Sequence, residues 1–349
     1  MTEAPQHRRP DGLATAAMAR ALREYGLSGA RDVAVTPLSG GQSNPTFLVD
    51  DGQQRFVLRK KPPGALLASA HAIDREYRVM QALQATAVPV PRMLSYCADP
   101  SLLGTPFYLM EFLEGRVLVD QALPGMSAAD RAAVYDDMNR VIAALHAVDV
   151  DRAGLRDFGK SGDFFGRQIA RWSRQITAAT VPVPAALCRL MDWLPEHVPD
   201  GDDETTLVHG DFRLDNLILH PTEPRVIGVL DWELSTLGHP LADFAYHAMS
   251  WRIAPSAWRG IAGLDLAELG IPSERDYVRR YAQRTGRDPQ AHWEFHLAFN
   301  LFRMAAILLG IAQRAAEGTA AAADAEQTGR KAEPLAELGW ACAQRHAGR

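Results

Sequence analysis

Between Leu207 and Asp243 the chain reads LVHGDFRLDNLILHPTEPRVIGVLDWELSTLGHPLAD, and this stretch constrains both fold and chemistry. It gathers three His, four Asp, two Glu and one Asn around two short apolar runs, Leu217–Leu219 and Val226–Leu230. Those runs are β-branched or Leu-rich and are bounded by Asn, His, Arg and Asp, the pattern of two short strands framing a turn. An acid just past a buried strand gains nothing from burial and costs desolvation unless something binds it, so such a placement points to chemistry rather than packing.

The spacing sharpens this. Asp211 is followed five positions on by Asn216 and, after a strand-turn-strand, by Asp231. The trio resembles the catalytic centre of phosphoryl-transfer enzymes built like protein kinases, in which the first Asp takes the proton of the acceptor hydroxyl and the Asn and later Asp hold Mg²⁺ on the nucleotide phosphates. His209-Gly210-Asp211 stands where protein kinases carry His-Arg-Asp, and Asp231-Trp232-Glu233 where they carry Asp-Phe-Gly. This variant resembles the aminoglycoside phosphotransferase and choline kinase-like family, above all the small-molecule kinases related to domains fused to acyl-CoA dehydrogenases. The resemblance implies an α+β, protein kinase-like two-lobed fold with a small β-rich N-lobe and a larger, mainly helical C-lobe. It implies Asp211 as base, Asn216 and Asp231 as metal ligands, and His209 with Asp243 as the buried support of the loop bearing Asp211. Mg²⁺ and ATP, the latter as co-substrate, follow from the same likeness. Glu233, in place of the kinase glycine, is open to a role at a metal-bound water.

Upstream, Val33–Pro37, a turn at Leu38–Asn44 and Thr46–Val49 read as strand, small-residue turn, strand. Consecutive glycines there let backbone N–H groups approach an anion without interference from a Cβ, which makes Gly40, Gly41, Ser43 and Asn44 candidate nucleotide contacts. A further strand, Phe56–Arg59, follows the turn Asp50–Gly52. Arg59 sits where the family pattern expects a phosphate-binding Lys or Arg. By strand alternation Arg59 and Lys61 share a face while Lys60 points away, so Arg59 is preferred and Lys61 is the second choice. Residues Ala68–Leu83 carry Ile73, Tyr77, Met80 and Leu83 at helical spacing around Glu76. Alone, Glu76 reads as a surface charge; in the kinase pattern it pairs with the strand cation. Pro106–Gly115 looks like the last N-lobe strand entering a hinge, with adenine contacts expected from the backbone of Glu111, Phe112 and Leu113. The division is then a flexible tail over residues 1–12, an N-lobe over 13–113 and a C-lobe over 114–349.

The C-lobe is expected to be helical. Ser127 caps a run to His146, and 164–176 and 184–194 are amphipathic. The apolar run Phe295–Ile311, broken by His296, Asn300 and Arg303, falls short of a spanning length and reads as a buried helix. Ala315–Ala325 reads as an Ala-rich connection to a last helix near Pro334–Gln344, with Pro at the first helical position. Trp251, Trp258 and the aromatics of 292–302 read first as core and second as an apolar acceptor wall.

Composition narrows the function. A formal net charge of −5 argues against nucleic acid as a partner. Three well-separated cysteines, Cys97, Cys188 and Cys342, read as reduced thiols, and the polar N-terminus carries no leader or anchor, so a cytoplasmic protein away from membranes is expected. An α/β-hydrolase would need a Gly-x-Ser-x-Gly elbow, which the sequence lacks. A dinuclear phosphoesterase using His209, Asp211, Asn216, Asp231 and His239 would leave the glycine turn and Glu76 without a role. The expected function is an ATP- and Mg²⁺-dependent phosphotransferase acting on a hydroxyl of a small molecule, with a hydroxyacyl compound as one acceptor; a catalytically silent nucleotide-binding module is the alternative.

Overall fold

Alternation of apolar residues along five strands builds the first sheet. The computed structural model describes residues 15–38, 44–62, 72–200, 203–319 and 324–348, so the tail 1–12 and the turn residues Gly40, Gly41 and Ser43 lie outside the described residues. Helix α1 (Thr15–Glu24) precedes strands β1 (Ala34–Pro37), β2 (Thr46–Asp50) and β3 (Arg55–Lys60), then helix α2 (Ile73–Leu83) and strands β4 (Met93–Cys97) and β5 (Phe107–Glu111). The antiparallel order is β1-β2-β3-β5-β4. Phe47, Val49, Phe56, Leu58, Phe107 and Leu109 share one face and close a core with Met18 and Leu22 of α1. The period of two therefore turns Thr46, Arg59 and Tyr108 to the opposite face, where register sets them abreast. Lys60 points the other way, its Nζ donating to the Leu103 carbonyl at 2.9 Å.

Helix α2 begins at Ile73, with Ala72 as its N-cap; residues 68–71 of the expected run lie outside the described residues. The chain divides into two units, the smaller running to Gln84 and resuming over Val90–Glu114, the larger comprising Ala85–Pro89 and everything from Gly115. Residues 85–89, expected within the N-lobe, go with the larger unit because the Pro89 carbonyl accepts from Val229 N at 2.9 Å.

The larger unit is mainly helical: α3 (Ala128–His146), α4 (Phe164–Thr177) and α5 (Ala185–Glu196), then strands β6 (Thr206–Val208), β7 (Leu217–Leu219), β8 (Val226–Val229) and β9 (Thr236–Gly238), then α6 (Pro240–Ala248), α7 (Leu266–Leu269), α8 (Glu274–Thr285), α9 (Trp293–Ala316), α10 (Ala325–Gly329) and α11 (Ala332–Ala347). Ser127 caps α3 by accepting from Asp130 N. Strand β6 pairs with β9 and β7 with β8, so the motif stretch is clamped by two small antiparallel ladders.

Three expectations need correcting. Helix α9 runs unbroken for 24 residues, about 36 Å, so it does reach a spanning length; 72% of its apolar window is nevertheless buried inside the protein, where Phe295, Phe299, Leu301 and Phe302 form the core. His296 and Asn300 do not interrupt it, because both are buried within the packing. Pro334 is the third residue of α11, not the first; it sits within the first turn, whose N–H groups have no helical partner in any case. The short α10 begins at Ala325, where the expected Ala-rich connection ends, and is an element the sequence reading did not include; residues 320–323 of that connection lie outside the described residues.

Candidate active site

In the smaller unit, Glu76 is the hub. It is 1% exposed, so it is no surface charge. Its Oε2 lies 2.8 Å from Arg59 Nε and 3.1 Å from the Tyr108 hydroxyl, and its Oε1 accepts Asn44 Nδ2 at 2.8 Å. The cation that meets Glu76 is thus Arg59, on the face chosen by strand alternation. Glu111 closes β5, and its Oε1 accepts Arg92 N at 2.7 Å, which commits the side chain locally and leaves the backbone for any ligand. Phe112 lies under the Arg55 guanidinium at 4.4 Å, while Leu113 is half-buried.

In the larger unit, Asp211 follows β6 on a loop that ends in the 3-10 turn Leu214–Asn216. Four donors surround its carboxylate. Arg213 lies against both oxygens, with Nε 2.9 Å from Oδ1 and Nη2 3.0 Å from Oδ2. Tyr246 donates its hydroxyl to Oδ1 at 2.5 Å, and Asn216 Nδ2 reaches Oδ2 at 3.1 Å and the Asp211 carbonyl at 2.9 Å. Burial, then the Asp211 charge, push the Tyr246 phenol well above its ordinary value, so it remains a donor.

Asp243, in the first turn of α6, is the fixed point beneath this loop. Its Oδ2 accepts His209 N and its Oδ1 accepts Gly210 N, both at 2.8 Å. The support runs through the backbone amide of His209 rather than through its imidazole. Burial raises the Asp243 carboxyl, but the hydrogen bonds from His146 and from the His209 amide outweigh this and hold it below the carboxylate range. His146, at the end of α3, lies 3.2 Å from Asp243 through Nε2 and 2.7 Å from the Tyr281 hydroxyl through Nδ1. Burial lowers its pKa, so the ring is neutral: Tyr281 donates to Nδ1 and Nε2–H donates to Asp243.

The His209 ring takes a different task. Its Nδ1 accepts Asp211 N at 3.2 Å, so Nε2 carries the hydrogen and donates to the Leu230 carbonyl at 2.9 Å. It also packs on Trp232, 4.7 Å between ring centroids. One imidazole therefore ties the Asp211 loop to the residue before Asp231. Leu230 N in turn donates to the Asn216 carbonyl at 2.8 Å, which brings the Asn216 and Asp231 backbones side by side. Asp231 has φ 64°, a left-handed conformation uncommon outside glycine and a mark of functional constraint. Glu233 is exposed in the following 3-10 turn.

Asn216 and Asp231 offer a cation only oxygen: the Asn216 amide nitrogen is committed to Asp211, leaving Oδ1. Two oxygen donors suit Mg²⁺, which keeps waters and is completed by substrate phosphates. Among the described residues no three His, Cys, Asp or Glu side chains converge on a metal position. His239, which a dinuclear phosphoesterase centre would need, stacks instead on His296 at 5.6 Å and 16°.

Arg213, Tyr246, His146 and Arg303 were not marked by the sequence reasoning. Tyr246 lies one helical turn after Asp243 and so shares its face, a spacing that does carry a signal. Arg303, from α9, donates to the Gly210 carbonyl at 2.6 Å and lies 5.1 Å over the Tyr246 ring. Arg259 pairs with Asp215, which also faces Arg213 at 3.6 Å, and Lys331 stands over the neighbouring Trp258 ring at 5.1 Å.

A five-stranded antiparallel sheet with a helical Glu on its strand cation, and a loop-borne Asp-x₄-Asn followed by a hairpin and a second Asp, define a protein kinase-like phosphotransferase fold. The chain belongs to the phosphotransferase enzyme family of the aminoglycoside phosphotransferase type, whose pattern matches residues 34–295. It is 48% identical over 303 residues, 86% of its length, to acyl-CoA dehydrogenase family member 10 of Mus musculus, and it spans 28% of that protein. A crystal structure from Ralstonia eutropha JMP134, provisionally named an aminoglycoside phosphotransferase, superposes with a TM-score of 0.87 at 53% identity, covering 94% of this chain and 98% of that one. A thermostable mutant of aminoglycoside phosphotransferase APH(4)-Ia, in complex with AMP-PNP and hygromycin B, shares the fold at a TM-score of 0.59 and 20% identity, covering 91% of this chain and 99% of that one.

Proposed function

We propose that this chain transfers the terminal phosphoryl group of ATP to a hydroxyl of a small molecule. The observation that carries the reading is the Asp211 carboxylate: it is held in one orientation by Arg213, Tyr246 and Asn216, on a loop whose amides are fixed by Asp243. Positioning of this kind is most of what phosphoryl transfer asks of a protein. Asp211 accepts or orients the acceptor's proton. Because Arg213, Tyr246 and Asn216 already occupy its oxygens, an incoming hydroxyl displaces one of these donors. Arg59 binds nucleotide phosphates and Glu76 fixes its rotamer. Asn216 and Asp231 would hold Mg²⁺, which neutralises charge on the transferring phosphates when bound. Glu233 is assigned to a metal-bound water.

The surroundings of the Asp211 loop speak to the acceptor. Arg213 faces Asp211 and Asp215, Arg259 pairs with Asp215, Arg303 donates to the Gly210 carbonyl, and Lys331 stands over the Trp258 ring. A hydroxyl compound bearing an anionic group, such as a hydroxyacyl-CoA with its CoA phosphates, would find these cations to meet it. The test is turnover of Mg-ATP against amino sugars, choline-like alcohols and hydroxyacyl-CoA compounds, with Asp211→Asn as control. Unchanged phosphorylation by Asp211→Asn would refute the base assignment; nucleotide binding without turnover on any acceptor would favour a silent module.

A further inference from the structure

Asn44 is fully buried, and its side chain is turned onto Glu76 rather than outward. Its Nδ2 donates to Glu76 Oε1 at 2.8 Å, and its backbone carbonyl accepts from Thr46 Oγ1 at 3.1 Å. Thr46 Oγ1 takes Arg59 Nη1 at 3.4 Å, and Arg59 Nε closes on Glu76 Oε2 at 2.8 Å. Asn44, Thr46, Arg59 and Glu76 therefore form a closed circuit. Thr46 and Arg59 are cross-strand partners in the sheet, so their separation is fixed by the ladder. The Glu76 carboxylate comes from α2 and has no such ladder; the Asn44 amide is what joins it to the β2 side of the circuit. The amide has only one workable orientation. Among the described residues its Oδ1 has no hydrogen-bond partner, and a flip would set that oxygen against the carboxylate.

We propose that Asn44 is a positioning residue that acts through Glu76. By donating to Oε1 it fixes the plane of the carboxylate, and the carboxylate fixes the Arg59 guanidinium that receives nucleotide phosphates. This replaces the expectation that Asn44 contacts the nucleotide itself. Without Asn44 the Arg–Glu pair persists but loses the bond that fixes Oε1, and a less firmly held pair of long side chains must be ordered by the ligand at the ligand's cost. The inference rests on Arg59 being the phosphate cation.

The full chain is tested by calorimetric binding of Mg-AMP-PNP, with thermal melts run alongside. Asn44→Ala should weaken nucleotide binding by about tenfold to a hundredfold, the loss expected for one hydrogen bond to a charged group. Asn44→Asp gives a signature that mere packing would not. Its carboxylate would face Glu76 at hydrogen-bond distance, beside Arg59 and the Tyr108 hydroxyl, which also face Glu76, so the two acids must share a proton. Nucleotide affinity in this variant should be near wild type at acid pH and fall as pH rises, while wild type does not follow that profile. Because this comparison is made within one folded variant, it holds even if Asn44→Ala unfolds. An Asn44→Asp protein whose affinity tracks wild type across pH, or a folded Asn44→Ala protein of unchanged affinity, overturns the positioning role alone. A wild-type protein that binds no Mg-AMP-PNP overturns the phosphotransferase reading and this inference with it.

Discussion

Gly210 lies directly beneath the carbonyl of Leu234: a Cβ at Gly210 would sit 2.7 Å from that oxygen, and the residue has φ +82°. Both facts explain why this chain has His-Gly-Asp where protein kinases have His-Arg-Asp. The Asp211 loop and the turn after Asp231 are packed too closely to admit any side chain at this position. Gly210→Ala must adopt a left-handed conformation, at about 1–2 kcal/mol, and push the two loops apart as well. The expected result is a lower melting temperature together with turnover reduced at least tenfold. A variant with wild-type turnover would mean that the spacing of the two loops is not critical.

Tyr246→Phe removes the 2.5 Å donor to Asp211 Oδ1 while keeping the ring on which Arg303 stacks. Its hydroxyl touches the proposed base and nothing that binds nucleotide, so kcat should fall about tenfold with the KM for ATP unchanged. A change confined to the KM for ATP would place Tyr246 in a different role.

How much of this was legible beforehand follows from sequence separation. Asp211 and Asn216 lie within one loop, and the joint task proposed for them is suggested by their spacing. Arg59 is chosen over Lys61 by strand alternation, again a local rule. Glu76 could not be told from a surface charge without the strand it faces. His146 and Asp243 are 97 positions apart, and Arg303 and Gly210 are 93 apart. Pairs so distant impose no period on the chain, so nothing short of the packing of α3, α6 and α9 reveals them. The support role of His209 and Asp243 was legible as a pairing, whereas its atoms were not: an amide accepts no side-chain signature, and the imidazole turns out to serve Leu230 instead.

Stability should fall on the acid side of neutrality, with His247 as the principal cause. It is buried, its Nε2 lies 2.7 Å from the Tyr277 hydroxyl, and burial depresses its pKa from 6.5 to about 4, against the opposing pull of Asp243. A depressed folded value means that the unfolded chain takes up the proton first. The contribution is complete above about pH 6.5 and is lost as pH falls toward 4, amounting to about 3 kcal/mol at the lower end. His146, also pushed down by burial, acts in the same direction. Melting temperatures between pH 7.5 and 4.5 should drop for wild type and drop less steeply for His247→Gln, which cannot charge. Parallel slopes would assign the acid sensitivity elsewhere.

The charge balance around the Asp211 loop makes the acceptor class measurable without knowing the acceptor. Asp211 and Asp215 are already met by Arg213 and Arg259, while Arg303 and Lys331 add positive charge over the Tyr246 and Trp258 rings. Anionic acceptors would have these cations to pair with. Between otherwise similar hydroxyl compounds, kcat/KM should favour the anionic member by about tenfold or more at low salt. The preference should shrink as ionic strength rises and the Debye length falls to about 8 Å at 0.15 M. Lys331→Glu should erode it further while leaving the affinity for Mg-AMP-PNP unchanged, since Lys331 touches neither Asp211 nor the proposed metal ligands. A salt-independent preference, or an equal rate with a polycationic amino sugar, would show that these cations serve the fold and not the substrate.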